Sequence, residues 1–324
     1  MGGRGPEPLR DDDPREIAGY PLEARIGEGG MGTVFLTRTR DSGAGTLPVA
    51  LKLIRREHAQ SEKFRRRFAR EVEAARRVHG PHLVRVVDHD AEAERPWLAT
   101  LYVPGLPLDE ALVDFGPLPP ACVLRLTAGA ARALDAVHTS GLIHRDVKPG
   151  NILLTAEGPW LLDFGIARAA DGTSVLTTVG RMVGTPKYMS PEHALGRRLT
   201  PASDVFTLGL VAAEAATGRH PYGEGGGLVV ATRIAGTDRE PPDLSAHPPE
   251  LRRLLTATLA ARPEDRPSGS EVAEMCGPPD FTGWLPKRLA SSVTAIGRAA
   301  TKASAHRTQD PRTTSWFPRR RDRP

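Results

Sequence analysis

The sequence predicts an α+β protein with two unequal parts, a small β-sheet carrying one helix and then a mainly helical region. Strand-like runs rich in β-branched and apolar residues occur at 22–40, 48–54, 82–87 and 97–103. Residues 61–78 lie among them and repeat apolar side chains at helical spacing. After Pro104-Gly105 the chain becomes rich in Ala and Leu, with helical patterns at 120–140, 203–217 and 249–261. A length of 324 residues suits one large domain or two modest ones.

The positive charge of the chain is concentrated near its C-terminus. The formal net charge is +5, and the sequence pI is about 9.5. From Trp284 onward there are 10 basic and 2 acidic residues, whereas residues 1–283 contain 34 basic and 37 acidic ones. Because the main body is mildly acidic, we expect no nucleic-acid partner for it. The segment 278–324 is predicted to be a basic tail, mostly disordered, with one short amphipathic helix on the stripe Leu285, Leu289, Val293 and Ile296.

Several classes of protein are excluded by composition. Two cysteines, Cys122 and Cys276, cannot form a disulfide framework and indicate a reducing compartment. No run reaches the roughly 18–20 apolar residues that a membrane span needs. Residues 1–16 contain three consecutive aspartates and no apolar core of a signal peptide, and we predict a disordered leader there. The expected location is cytoplasmic, or peripheral at a membrane, without a transmembrane span.

A glycine-rich run at 27–32 (GEGGMG) is the first motif with chemical meaning. A strand pattern follows it, and no helix does, so it does not fit a dinucleotide-binding turn. It fits a hairpin whose backbone N–H groups come close to a phosphate. An ordinary hairpin turn is the alternative interpretation.

A lysine on the next strand extends this interpretation. Lys52 lies in an apolar run at 49–52 (VALK), where it would meet phosphate oxygens as a point charge. A surface position at a strand edge is the alternative. Glu71 in the predicted helix is the candidate carboxylate to hold Lys52. Its alternative is a solvated charge paired with Arg67 or Arg70.

The strongest motif is the run 144–151 (HRDVKPGN). Within it Asp146 would accept a hydroxyl proton, Lys148 would neutralise phosphate charge, and the amide oxygen of Asn151 would bind a hard cation. Twelve residues after Asn151, Asp163 stands in the run 162–165 (LDFG) and offers a second oxygen ligand. Mg²⁺ prefers oxygen ligands and keeps phosphates and water as the remainder.

Together with the run 184–192 (GTPKYMSPE), these motifs resemble those of the protein kinase superfamily, especially its bacterial serine/threonine kinases. The resemblance covers about residues 17–277. It implies a bilobal kinase fold, with an antiparallel sheet and one helix in an N-lobe at about 17–103 and a mainly helical C-lobe at about 104–277. It also implies a non-specific serine/threonine protein kinase that uses ATP and Mg²⁺, with protein substrates that carry Ser or Thr acceptors.

The resemblance implies a role for each matching residue. Catalytic roles fall to Asp146, Lys148, Lys52 and Glu71, with Lys52 paired to Glu71. Mg²⁺ would be bound by Asn151 and Asp163. The nucleotide would be bound by Ile26, Gly27, Gly29, Gly32, Val34, Ala50, Lys52, Leu101, Val103, Asn151, Leu153 and Asp163. Leu101 and Val103 would act through backbone groups of the hinge, so the leucine that replaces a frequent acid at 101 should matter little.

Other family features predict regulation and stability. Arg145 precedes Asp146, and such kinases are commonly switched by phosphorylation of the activation loop. Thr177 and Thr178 are the candidate autophosphorylation sites in the loop 166–190, modified within a transient kinase homodimer. The alternative is a loop that is only polar and flexible. Structural pairs are also expected: Glu192 with Arg266, and Asp204 with the backbone of the catalytic loop.

Alternatives remain open at the level of function. A pseudokinase scaffold would keep the fold without the reaction, and a small-molecule phosphotransferase would lack the protein-substrate platform that 184–192 resembles. For the basic tail, disorder competes with weak contact to an anionic membrane and with nucleic-acid binding.

Overall fold

A computed structural model describes residues 6–39, 47–162, 186–278 and 280–306. Within these ranges the strands are β1 (Glu16–Ile17), β2 (Tyr20–Pro21), β3 (Ala24–Gly29), β4 (Gly32–Arg38), β5 (Pro48–Ile54), β6 (Val86–Asp90), β7 (Trp97–Leu101), β8 (Leu106–Pro107), β9 (Ile152–Thr155) and β10 (Gly158–Leu161). The α-helices are α1 (Arg56–Ala59), α2 (Glu62–Arg76), α3 (Leu108–Phe115), α4 (Pro120–Thr139), α5 (Pro191–Ala194), α6 (Pro201–Thr217), α7 (Gly227–Ala235), α8 (Pro249–Thr258), α9 (Gly269–Met275) and α10 (Lys287–His306). The predicted α+β fold with a sheet-bearing N-lobe and a helical C-lobe is confirmed.

The N-lobe is built on an antiparallel sheet in the order β3-β4-β5-β7-β6. Side chains alternate between its two faces, as the strand period requires. Leu51 and Trp97 are buried on one face, while Ile54 and Leu98 pack on the other against Phe68 of α2. The helix α2, which carries Glu71, therefore covers one face of the sheet. The apolar side chains on the opposite face must be shielded from water by another part of the chain.

The N-terminal segment provides that other cover, so the predicted disordered leader does not hold for residues 6–16. Leu9 and Ile17 pack against the cluster that contains Tyr20 and Leu51. Glu7 also exchanges two backbone hydrogen bonds with Arg25 of β3, at 2.7 and 2.8 Å. Apolar burial and pairing to a sheet edge outweigh the polar composition that suggested disorder.

The C-lobe is centred on α4 and α6, which contact each other and are buried along most of their length. The small sheet β10-β9-β8 packs on α4. A Cβ at Gly129 would lie 2.5 Å from Pro159, so only glycine lets α4 approach β10 this closely. The sheet holds the residues around Asn151 and Leu153 against the lobe.

The amphipathic stripe in the basic segment also belongs to the C-lobe. Trp284, Leu285, Leu289 and Val293 are buried in the same cluster as α4 and α6, and α10 contacts α3, β8 and β9. The Trp284 indole N–H donates to the carbonyl of Thr155 at 3.0 Å. The helix is thus longer than predicted, and its apolar face is covered by the lobe. The boundary at 277 predicted from the sequence omits this packing.

Candidate active site

A buried aspartate fixes the backbone of the catalytic loop. Asp204, at the start of α6, is 2% exposed. Its carboxylate accepts the backbone N–H of His144 at 2.7 Å and that of Arg145 at 2.8 Å, and His138 Nε2 lies 2.8 Å from it. These bonds hold Arg145 at a φ of 65°, a conformation that L-residues seldom adopt. The predicted contact of Asp204 with the loop backbone is confirmed.

His144 connects the catalytic loop to the strand end that precedes Asp163. The ring is completely buried, and its Nε2 lies 2.9 Å from the carbonyl of Leu162. The backbone N–H of Asp146 points to Nδ1 at 3.4 Å. Because a carbonyl only accepts and an N–H only donates, these two contacts fit the tautomer in which Nε2 donates and Nδ1 accepts. Leu162 N–H in turn donates to Asn151 O at 2.8 Å.

Two polar residues of the loop, Lys148 and Asn151, converge on the carboxylate of a third, Asp146. Lys148 Nζ lies 3.0 Å from Asp146 Oδ2, and Asn151 Nδ2 donates to the same oxygen at 2.8 Å. Asn151 Nδ2 also donates to the Asp146 carbonyl at 2.8 Å. The carboxylate is therefore oriented from two sides, one of which carries a positive charge.

The orientation of Asn151 suits a hard cation. Since its amide nitrogen donates to Asp146, its amide oxygen remains as the ligand atom, and oxygen is what Mg²⁺ prefers. Across the described part of the chain no three His, Cys, Asp or Glu side chains form a group that could hold a metal. The other predicted ligand, Asp163, lies outside the described residues, so the fit rests on Asn151 and on the strand end at Leu162.

The glycine-rich run forms the turn between β3 and β4, as the hairpin interpretation predicts. Gly29 and Gly30 have no atom within 4 Å of where a Cβ would stand, whereas a Cβ at Gly32 would lie 2.1 Å from the carbonyl of Leu53. Gly32 is therefore required by packing. At Gly29 and Gly30 the space beside the backbone is open, which is what a close approach by a ligand needs.

Other predicted nucleotide residues lie on the same strands. Val34 of β4 is directly opposite both Gly27 and Lys52, and Ala50 is opposite Thr100 of β7. Directly paired residues point to the same face of a sheet. Val34 and Lys52 thus share a face next to the glycine turn, and Ile26 precedes that turn on β3.

The hinge and the floor of the cleft meet at a glycine. Leu101 ends β7, and Val103 follows it in the connection to β8. A Cβ at Gly105 would lie 3.0 Å from Leu153 Cβ, so the hinge backbone comes close to Leu153 of β9. The predicted adenine-contacting residues therefore come from both lobes.

The predicted pair of Lys52 with Glu71 is not found; Glu71 pairs with Arg145. Glu71 Oε1 lies 3.2 Å from Arg145 Nη1, while its Oε2 is buried and has no hydrogen-bond partner among the described residues. Burial raises the pKa of Glu71 to about 7, although Arg145, Arg67 and Arg70 each act to lower it. The reason for the different partner is tertiary: α2 directs Glu71 towards the catalytic loop, where the Asp204-held backbone places Arg145.

The predicted pair of Glu192 with Arg266 is confirmed and buried. The guanidinium binds both carboxylate oxygens, at 2.8 and 3.0 Å, and it also donates to the carbonyls of Ala202, Ala260 and Ala261. Burial acts to raise the pKa of Glu192, but hydrogen bonds from Arg266 and Ser203 outweigh it and hold this pKa below its usual range. The pair anchors the segment after the activation loop to the C-lobe.

Four residues that the sequence analysis did not single out contact the glycine turn. Glu28 belongs to the glycine-rich run, near the end of β3, and forms ion pairs with Arg10, Arg25 and Arg55. His58 Nε2 lies 3.2 Å from the carbonyl of Gly30. No local pattern marks these residues, because they come from separate parts of the chain and are ordinary surface types.

The family described as protein kinase domain matches residues 20–276. This match covers most of the chain, including the glycine turn, the catalytic loop and the Glu192–Arg266 pair. The chain belongs to the protein kinase family. The five motifs of the kinase occur in the order in which the family has them.

The curated relatives of this chain include bacterial serine/threonine kinases. The kinase is 46% identical over 290 residues to the probable serine/threonine-protein kinase PkwA of Thermomonospora curvata, a match covering 89% of this chain and 38% of the relative. It is 41% identical over 307 residues to the serine/threonine-protein kinase AfsK of Streptomyces coelicolor, covering 91% of this chain and 37% of the relative. The chain therefore spans less than two fifths of the length of these two relatives.

A solved kinase structure has the same fold. The crystal structure of the Mycobacterium tuberculosis PknI kinase domain is 32% identical in sequence, with a TM-score of 0.62. The match covers 80% of this chain and 95% of that one. Over the residues described for our kinase, no helix is both long enough and apolar enough to cross a membrane.

Some of the predicted sites lie outside the described residues. These are the metal ligand Asp163 and the autophosphorylation candidates Thr177 and Thr178. They stay predictions of the sequence.

Proposed function

We propose that this chain is a non-specific serine/threonine protein kinase that transfers the γ-phosphate of Mg-ATP to Ser and Thr hydroxyls of proteins. The observation that carries the proposal is the convergence of Lys148 Nζ and Asn151 Nδ2 on Asp146 Oδ2. A carboxylate held in this way is oriented to accept a proton, next to a cation and a metal ligand. The family and its serine/threonine kinase relatives support the same activity.

The proposed division of labour follows from the charges. Bound Mg-ATP supplies the transferable phosphoryl group. Asp146 takes the proton of the acceptor hydroxyl, and Lys148 stabilises the negative charge that develops on the transferred group. Asn151 and Asp163 hold Mg²⁺ through oxygen atoms. Lys52 meets the α- and β-phosphates, since it lies on the face of the sheet next to the glycine turn.

The nucleotide would occupy the cleft between the lobes. Gly27, Gly29 and Gly32 form the turn over the phosphates, and the open space at Gly29 supports this. The adenine would lie between Ile26, Val34 and Ala50 above and Leu153 below, with backbone groups of Leu101 and Val103 at its edge. Phosphoryl transfer depends mainly on positioning and charge neutralisation, and these residues supply positioning.

The variant Asp146→Asn tests the proposal directly. We expect wild-type protein incubated with Mg-ATP to incorporate phosphate on Ser and Thr, and Asp146→Asn to lose at least about 100-fold of the rate, because it removes the proton acceptor. Phosphate transfer is measured with γ-labelled ATP and by mass spectrometry. Asp238→Asn, at an exposed carboxylate, is the matched control and should retain the wild-type rate. An inactive wild type that still binds nucleotide would favour the pseudokinase alternative.

The activation loop extends the proposal to regulation. We expect Thr177 or Thr178 to be phosphorylated by a second copy in a transient homodimer, because Arg145 offers a guanidinium that a phosphate can pair with. Mass spectrometry of active protein gives the test. Finding both threonines unmodified in fully active protein would contradict this part alone.

The cellular location of the kinase is proposed from its two cysteines and from its basic C-terminal residues. We place it in the cytoplasm, where its two cysteines remain reduced. The basic residues beyond α10 supply weak contact with anionic membrane surfaces, without a contribution from the buried apolar face of α10. No nucleic-acid partner is proposed.

A further inference from the structure

The glycine turn is held from both sides by charged side chains. On one side Arg55 donates from Nε to the carbonyl of Gly29 at 3.2 Å, and its Nη2 lies 3.2 Å from Glu28 Oε1. On the other side Glu28 Oε2 lies 3.4 Å from Arg25 Nη1 and 3.5 Å from Arg10 Nη1. Glu28 therefore connects the turn to the core of the N-lobe and to the N-terminal segment.

The N-terminal segment reaches this site through a local turn. Arg10 N–H donates to Asp13 Oδ2 at 2.8 Å, and Asp13 N–H donates back to the carbonyl of Arg10 at 3.2 Å. Glu7 pairs with Arg25 by two backbone hydrogen bonds. The segment is thus fixed along the outer edge of β3, the strand that leads into the glycine turn.

Asp13 makes a buried contact there. Its Oδ2 lies 3.1 Å from Arg25 Nε, an ion-pair distance without hydrogen-bond alignment, and the two side chains are only 6% and 9% exposed. Breaking a buried pair from one side leaves the other charge without compensation, so such a pair strongly constrains both groups. The orientation of the Arg25 guanidinium towards Glu28 therefore depends on Asp13.

We propose that Asp13 is a positioning residue for the nucleotide: through Arg25 and Glu28 it holds the glycine turn in the conformation that receives the ATP phosphates. The inference rests on the proposed kinase function. A turn that is already ordered loses less conformational entropy when ligand binds, so the contact contributes to affinity without touching the ligand. The N-terminal segment is by this inference a part of the nucleotide site.

The sequence provides its own controls. Asp11 and Asp12 are neighbours of Asp13 with the same side chain, yet both are exposed. Substituting any of the three removes one negative charge from the same segment. Only the change at Asp13 removes a buried ion-pair partner of Arg25.

The test compares Asp13→Asn with Asp12→Asn in the full chain. We expect Asp13→Asn to weaken binding of the fluorescent nucleotide mant-ATP with Mg²⁺ by about 3- to 10-fold, and to raise KM for ATP similarly. The value of kcat and the KM for a protein acceptor such as myelin basic protein should each change less than about twofold. A general loss of folded protein would instead lower the apparent kcat and leave the KM for ATP unchanged. Asp12→Asn should match wild type in every measurement. Equal mant-ATP affinity of the two variants would overturn the inference.

A double-mutant cycle tests the route through Arg25. If Asp13 acts through Arg25, adding Asp13→Asn to Arg25→Gln should weaken mant-ATP binding little further, whereas fully additive losses would overturn the inference. If Asp13→Asn does not fold, Glu28→Gln decides, because Glu28 is 42% exposed and its loss does not bury a charge. It should weaken mant-ATP binding in the same range, and unchanged binding would overturn the inference. A wild type that binds no mant-ATP would instead contradict the proposed function.

Discussion

At the scale of single residues, Glu71 and Glu192 form the same kind of ion pair with opposite consequences for their pKa values. Each carboxylate faces an arginine, but Arg266 binds both oxygens of Glu192, whereas Arg145 reaches only Oε1 of Glu71. The pKa of Glu71 is therefore raised by burial, and that of Glu192 is lowered by its hydrogen bonds. The two pairs should respond to pH in opposite ways.

For Glu71 the sign follows from a folded-state pKa above the unfolded one. The folded state binds the proton more tightly, so the contribution of Glu71 to stability is greatest below its ordinary pKa of 4.5 and is lost as pH rises through about 7. The free energy of unfolding of Glu71→Gln, relative to that of wild type, should therefore be higher at about pH 8 than at about pH 5. Urea unfolding at both pH values measures it, with Glu62→Gln at the exposed start of α2 as control. A difference that does not change with pH would contradict the raised pKa.

For Glu192 the sign is reversed. Its folded-state pKa is lowered, so its stabilisation is present above its ordinary pKa of 4.5 and disappears as pH falls through the lowered value. Glu192→Gln should therefore reduce the free energy of unfolding by about 3–5 kcal/mol at neutral pH, because Arg266 is left buried without its partner. Chemical unfolding measures the loss, with Glu264→Gln, an exposed carboxylate, as control. A loss below about 1 kcal/mol would mean that the pair is not the anchor described above.

These residues also show how far a motif predicts geometry. The convergence of Lys148 and Asn151 on Asp146 follows from short spacing within one loop. The Glu192–Arg266 pair follows from the family resemblance. The partner of Glu71 depends on how α2 is oriented relative to the catalytic loop, and no local pattern encodes that angle.

At the scale of elements, periodicity predicts a helix but not the surface that it covers. Leu289, Val293 and Ile296 of the predicted stripe lie in α10, whereas Leu285 precedes the helix, and all four side chains pack on the C-lobe. In the same way, scattered apolar residues such as Leu9 and Ile17 do not form a pattern, and they nevertheless cover one face of the N-lobe sheet. In both cases the surface against which these apolar residues pack is formed by residues far away in the sequence.

The packing of α10 gives a prediction for stability. Trp284 is 3% exposed and donates to Thr155, so Trp284→Ala should lower the free energy of unfolding by about 3–5 kcal/mol. Arg288→Ala, at an exposed position of α10 shortly after Trp284, should change it by less than about 0.5 kcal/mol. Unfolding in urea followed by circular dichroism distinguishes the two. Equal behaviour of the two variants would show that α10 is not part of the lobe core in solution.

At the scale of the whole molecule, the excess positive charge is separated from the catalytic body. Residues 307–324 contain six arginines and two aspartates, while residues 1–283 are mildly acidic. Each basic residue near an anionic bilayer contributes about 1 kcal/mol of attraction, and salt screens it. The packing of α10 also decides where the chain should be shortened, because ending it at 283 would remove Trp284 and Leu289 from the core.

The charge separation predicts that the arginine-rich end alone contacts anionic membranes. The full chain should cosediment with liposomes that contain phosphatidylserine, and the bound fraction should fall several-fold between about 50 mM and about 300 mM NaCl. The form 1–306 keeps the buried part of α10 and should lose most of this binding. Liposomes of pure phosphatidylcholine control for binding that does not depend on anionic lipid. The triple variant Arg319→Gln, Arg320→Gln and Arg321→Gln should lose liposome binding like the form 1–306, although its chain has full length. Equal cosedimentation of the full chain and of 1–306 would contradict this prediction, because the contact would then lie on the folded kinase domain. That domain is mildly acidic, so electrostatic attraction to an anionic membrane would not explain such a contact.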